Sequence, residues 1–132
     1  MNDRFSHARG WFRKADSDLA TARKLLAGEG PYDTACFHAQ QAAEKYLKGL
    51  LAYQEQPIPH IHDLNDLERA CSAVEPPLVL PLLSLAELTP YAVELRYDFE
   101  FWPEASTARE AIDTTERVRE AVLALVPGEA LP

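Results

Sequence analysis

Gln41, Glu44, Lys45 and Lys48 stand three or four residues apart, which puts them on one face of a helix. Two ammonium groups beside an amide and a carboxylate can take a nucleotide phosphate or an acidic partner surface. The same residues also make an ordinary solvated face, with a Glu44–Lys48 pair worth about 0.3–0.5 kcal/mol. His38 falls near this face and can join it.

A second group follows at Arg96-Tyr97-Asp98, which leads into Phe99, Phe101 and Trp102. A guanidinium suits bidentate phosphate or carboxylate contacts, and the rings can stack on a base or pack a dimer interface. The competing reading pairs Arg96 with Glu94, Asp98 or Glu100 and sends the rings into the core. The local acidity of Glu94, Asp98, Glu100 and Glu104 argues against an RNA channel here.

His60 and His62 flank Ile61 in a His-x-His pair, a pattern that zinc or acid/base chemistry can use. No third ligand stands at a familiar spacing, so His62 is expected to order its loop by hydrogen bonding, and neither metal nor cofactor is expected. Cys36 and Cys71 belong to no Cys-x-x-Cys or Cys/His spacing and read as small buried apolar residues. No phosphate-cradling glycine loop and no nucleophile–base–acid triad is recognisable.

Helices must position these groups. Phe5, Ala8, Phe12, Ala15, Leu19, Ala22 and Leu26 recur every three or four residues and predict a helix over 3–27, ended by Gly28, Gly30 and Pro31. Cys36, Ala39, Ala43, Leu47 and Leu50, with Ala35, Ala42 and Tyr46 beside them, predict a second over 32–53, whose alanines let a neighbour approach closely. Pro57 and Pro59 then impose an extended loop. Asp63 is placed to cap a short third helix in which Leu64, Leu67 and either Ala70 or Cys71 face the core, stopped by Glu75-Pro76-Pro77. Residues 78–97 read as two helical pieces at a bend, Pro81 in the first turn and Thr89-Pro90 restarting the helix. Thr107-Ala108-Arg109-Glu110 has the pattern of a capping box opening the last helix, which continues through Ile112, Thr115, Val118, Val122 and Leu125 to Pro127-Gly128. Strand alternation is absent. The fold class is therefore all-α: one domain spanning 1–132, an antiparallel up-and-down bundle of four to five helices.

With 132 residues, 47% of them apolar, the chain can bury one core of ordinary size. The formal net charge is -8, and residues 67–132 carry most of it, with five Lys/Arg against twelve Asp/Glu. Such a surface repels a phosphate backbone, which argues against non-specific nucleic-acid binding over the whole molecule and leaves open a local basic spot or a basic partner. No run approaches the roughly 20 apolar residues of a membrane span. Arg4, Arg9, Arg13 and Lys14 have no apolar stretch behind them, so no signal peptide is read and the cytoplasm is the expected compartment.

Within this frame, residues 36–51 (CFHAQQAAEKYLKGLL) are followed by PHIHDL at 59–64 and LRY at 95–97, and preceded by DLATARKLL at 18–26. In order and spacing these pieces resemble the HEPN domain, a nucleotide-binding helical family. The resemblance implies a helical bundle, often a homodimer, encoded beside a minimal nucleotidyltransferase in a toxin–antitoxin or two-part nucleotide-handling system. Many members are metal-independent ribonucleases built on Arg-(x4–6)-His. In that scheme the arginine holds the scissile phosphate, and the histidine serves as acid/base for attack by the ribose 2′-hydroxyl. Arg96 is the candidate arginine, but the positions allowed for the histidine hold Phe101, Trp102 and Pro103. This departure leaves three expectations: a binding module acting with a nucleotidyltransferase, a ribonuclease in which His38, His60 or His62 reaches Arg96, or a purely structural dimerisation domain.

Overall fold

The structure, a computed structural model, describes residues 3–80 and 85–132. Among the described residues there are four α-helices, α1 (Asp3–Ala27), α2 (Tyr32–Tyr53), α3 (Leu64–Ser72) and α4 (Ala105–Leu123), with 3₁₀ turns at Leu85–Glu87 and Thr89–Tyr91 between α3 and α4 and at Gly128–Ala130 after α4. No β-strand occurs among the described residues.

The helices bury the stripes their periods define. Ala8, Phe12, Ala15, Leu19 and Ala22 of α1 face Ala35, Cys36, Ala39, Ala42, Ala43, Tyr46, Leu47 and Leu50 of α2 across one core. α2 is the central element and packs against each of the other α-helices. Cross-contacts fix direction: Phe5 stacks on Tyr53, Phe12 meets Tyr46, and Asp18 reaches Lys45 and His38, so α1 and α2 are antiparallel. Asp16 with Arg119 and Arg23 with Glu116 set α4 antiparallel to α1 as well. Ala108, Ala111, Ile112, Val118 and Val122 close the core. The buried Thr115 hydroxyl donates to the Ala39 carbonyl at 2.9 Å, answering a polar group that would otherwise cost about 1–3 kcal/mol.

Between α1 and α2, Gly30 takes φ +85°, a left-handed conformation suited to glycine. Its N–H returns to the Leu25 carbonyl at 3.0 Å and closes the end of α1. Asp63 caps α3 as its position implies, its carboxylate accepting from the N–H groups of Asn65 and Asp66. α3 stops at Ser72, before Glu75-Pro76-Pro77, and the chain beyond it is held by Gln54. That buried side-chain amide donates to the carbonyls of Cys71, Val74 and Pro76 at 2.8, 3.1 and 2.9 Å.

Some expectations need correction. The stretch 78–97 holds no α-helix among its described residues; it runs through the two 3₁₀ turns and a series of open turns, and Pro81, Leu82 and Leu83 lie outside the described residues. Thr89 is not an N-cap there: its hydroxyl accepts from Leu64 N–H at 3.1 Å and donates to the Leu85 carbonyl, joining this stretch to α3. The last helix opens two residues before Thr107, with Glu104 in the N-cap place and no side-chain cap, so the capping-box pattern is not used. It also ends at Leu123, before Pro127.

Candidate functional site

Three carboxylates organise the polar interior where α1, α2, α4 and the loop after α2 meet. Asp16, on α1, accepts from the Tyr46 hydroxyl and from Arg119 Nε (2.9 Å) and a terminal guanidinium nitrogen (3.3 Å). Burial pushes this carboxyl up. The hydrogen bonds from Arg119 and Tyr46, with the charges of Arg119 and Arg23, outweigh it and leave the group below its ordinary value. Tyr46 moves the other way: burial and the facing Asp16 carboxylate push its phenol well above the usual range.

Asp18, one half-turn further on, accepts from Lys45 Nζ at 2.5 Å and lies 2.9 Å from His38 Nδ1. A carboxylate is acceptor-only, so this contact sets Nδ1 as the protonated nitrogen and leaves Nε2 as the basic atom. Glu44 is the third hub. Its carboxylate accepts from Gln40 (3.1 Å) and Lys48 (3.1 Å) and lies 2.8 Å from His62 Nδ1. The Glu44 and Lys48 side chains are only 6% and 8% exposed, so the pair is a buried one rather than a solvated face. Gln41 donates to Gln40 Oε1 at 2.7 Å, extending the same network. His62 does order its loop: besides the Glu44 contact, its carbonyl accepts from Gln40. His60 is exposed.

Lys45 and Lys48 therefore have their charges answered inside the protein. Arg96 differs. Its guanidinium lies over the Phe37 ring, 4.2 Å from the centroid, and 5.7 Å from that of Tyr97. It forms no ion pair with Glu94, Asp98 or Glu100 among the described residues. Asp98 turns instead to the Glu100 N–H at 2.9 Å, and Tyr97 is exposed. Nor do the rings of this loop join the core: Phe99 and Trp102 stand in solvent, and Phe101 stacks on Tyr91 with centroids 5.6 Å apart.

Arg96 and His38 border one recess of about 290 Å³, lined also by Asp33, Thr34, Phe37, Tyr91 and Phe101. His38 and Phe37 meet edge to face at 5.2 Å. The lining thus holds a guanidinium with no ion pair among the described residues, a histidine oriented by a carboxylate, the Asp33 side chain and a pair of stacked rings. That arrangement suits a group that is both anionic and planar.

Of the residues singled out from sequence, Glu44, Lys48 and His62 come together, Gln41 joins them through Gln40, Lys45 belongs to the Asp18 cluster, and Arg96, Tyr97 and Asp98 stand apart. Sequence reasoning missed Asp16, Asp18, Gln40 and Arg119. The signal was available in one case: a tyrosine inside an apolar stripe needs an acceptor for its hydroxyl, and Asp16 borders the facing stripe.

The chain matches the HEPN domain family over residues 8–125. The crystal structure of TT1696 from Thermus thermophilus is similar, with a TM-score of 0.73 and 27% identity, over 91% of this chain and 98% of that one. No curated protein matches the chain. No helix among the described residues is long and apolar enough to cross a membrane.

Proposed function

The chain belongs to the HEPN domain family, and on that premise we propose that it acts with a minimal nucleotidyltransferase, in a toxin–antitoxin-like pair, and binds nucleotide in the Arg96 recess. The observation that carries the nucleotide part is the Arg96 guanidinium, lying over Phe37 with no ion pair among the described residues, at the edge of a recess of about 290 Å³ that Asp33 also lines. A phosphate takes that charge, and a base enters beside Tyr91 and Phe101. Lys45 and Lys48 act through the shape of α2, since Asp18 and Glu44 already hold them.

The test has two arms. Co-expression with the neighbouring nucleotidyltransferase should yield a complex that survives purification, and its absence would remove the partner claim. Titration calorimetry with AMP and ATP should show binding that Arg96→Ala weakens tenfold or more; no heat from the folded wild type would remove the nucleotide claim.

A second reading, a metal-independent ribonuclease, is favoured by one observation: Asp18 orients His38 on the same recess as Arg96. In this reading His38 Nε2 takes the proton of a ribose 2′-hydroxyl as that oxygen bonds to phosphorus. The imidazolium returns the proton to the departing 5′-oxygen, and Arg96 neutralises the pentavalent phosphate. Cleavage of RNA that disappears in both His38→Ala and Arg96→Ala supports it; no cleavage by wild type, or cleavage unaffected by His38→Ala, removes it.

A further inference from the structure

The recess that holds Arg96 also holds a carboxylate, and a site for phosphate alone has no use for one. Asp33 and Thr34 line it beside Arg96 and His38. Both are half-buried, in the first turn of α2. Among the described residues the Asp33 side chain forms no ion pair, with Arg96 or with any other cation, and neither its carboxylate nor the Thr34 hydroxyl has a hydrogen-bond partner.

Phe37 and His38 follow Asp33 and Thr34 by four residues, so the two pairs share one face of α2, about 6 Å apart along its axis. Arg96 lies over Phe37, 4.2 Å from the ring centroid. The recess therefore has a polarity. Its cationic end is at the Phe37–His38 turn, and its acidic end is one turn nearer the start of the helix.

An anionic phosphate is drawn to the guanidinium and repelled by the carboxylate. What a carboxylate takes from a nucleotide is a hydrogen-bond donor. The ribose 2′- and 3′-hydroxyls are two donors side by side, and a carboxylate on a ribose hydroxyl is a recurrent pairing. In a ribonucleoside 5′-phosphate, the phosphate and this diol stand at opposite edges of one sugar ring, a span comparable to one helical turn.

We infer, on the nucleotide reading given above, that Asp33 accepts from the ribose 2′,3′-diol while Arg96 takes the 5′-phosphate. The recess then selects a ribonucleoside 5′-phosphate with a free diol. A deoxynucleotide lacks one of the two donors, and so does an internal RNA residue, whose 3′-oxygen is esterified. Thr34, beside Asp33, offers a hydroxyl that can donate back to a ribose oxygen. The base is left to Tyr91 and Phe101, and stacking on rings distinguishes little between bases. Selectivity thus resides in the sugar. A carboxylate in the first turn of α2 also suits the helix dipole, but that role serves stability and makes no distinction between ligands.

Titration calorimetry on the full chain with AMP and with 2′,3′-dideoxy-AMP tests it, for wild type and Asp33→Ala. The wild type should bind AMP about tenfold or more tightly than the dideoxy analogue, the expected loss when a charged acceptor goes without its donors. Asp33→Ala should lose most of that preference: AMP binds more weakly, whereas the dideoxy analogue, freed from the carboxylate's repulsion, binds no more weakly than to wild type. A wild type that binds both alike would overturn the inference and leave the Arg96 claim standing. So would a variant that keeps the preference, or one that weakens both ligands equally, as a structural defect or a contact to the base would. No binding of either compound by the wild type removes the nucleotide reading and this inference together.

Discussion

A methyl group at Gly49 would stand 2.7 Å from Cδ1 of Phe12, inside any normal contact distance. The α1–α2 crossing is thus set by the absence of a side chain on α2 beneath a ring on α1, with Cβ of Trp11 3.0 Å from the same point. Phe12 is fully buried, so its ring has no free direction in which to yield.

Gly49→Ala sets two opposed effects against each other. Alanine gains about 1 kcal/mol of helix propensity, and overpacking a tight core costs about 1–3 kcal/mol. The clash involves a ring edge within the core, so we expect a net loss of about 1–2 kcal/mol. A thermal melt of the variant beside wild type reads it, and an unchanged or raised Tm would refute the assignment.

Glu44 holds a buried ammonium. Glu44→Ala leaves Lys48 without its counter-charge at a site where its side chain is 8% exposed, and it releases His62 and Gln40 together. A cost of about 3–5 kcal/mol follows from breaking one side of a buried pair. Glu44→Leu combined with Lys48→Met removes both charges and should cost clearly less. Urea denaturation distinguishes them; equal losses in the two variants would show that packing, not charge, sets the effect.

Asp16 titrates lower in the folded chain than in the unfolded one. Its stabilising contribution is therefore complete above the unfolded value of about 3.9 and is lost as pH falls through the folded value. Asp16→Asn should be less stable than wild type at pH 7, and the gap should close below about pH 4. A gap that persists unchanged at about pH 2.5, below the usual carboxylate range, would mean the carboxylate charge is not its source.

Burial pushes the Cys36 thiol up to about 11, with Asp33 adding to it, and burial with Glu68 pushes Cys71 up to about 12. Neither forms a thiolate at ordinary pH, and both are fully buried. The native protein should therefore leave both thiols unlabelled by an aromatic disulfide reagent at about pH 8 and release two equivalents in urea, one for each cysteine. Rapid labelling without denaturant would contradict this.

The long helices are legible in the sequence because period and punctuation agree. The apolar stripes define α1 and α2, and the Gly28–Pro31 stretch separates them as Gly30 requires. The stretch 78–97 misleads because its leucines and alanines satisfy a helical period locally. Pro90 lacks the backbone N–H that a helix through this stretch would need. In the candidate site, helical spacing correctly joins Glu44 with Lys48, but spacing carries no information on burial. The partner that neutralises Lys45 and orients His38 is Asp18, twenty or more residues away. The Arg96–Phe37 contact joins a loop to α2 across fifty-nine positions, a relation that only tertiary structure creates.

Gln54 gives the segment after α3 a collective behaviour. One side-chain amide holds three carbonyls spread from Cys71 to Pro76, while its own Oε1 is buried with no partner among the described residues. Withdrawal of that amide releases the Val74 and Pro76 carbonyls together, while the Leu78 N–H on the Cys71 carbonyl and the Ser72 hydroxyl on the Leu78 carbonyl keep the segment tied to α3. α3 and its proline tail should detach as one subglobal unit. Their amides would then exchange with deuterium at a common rate, faster than those of α2, making this the first part of the bundle to breathe.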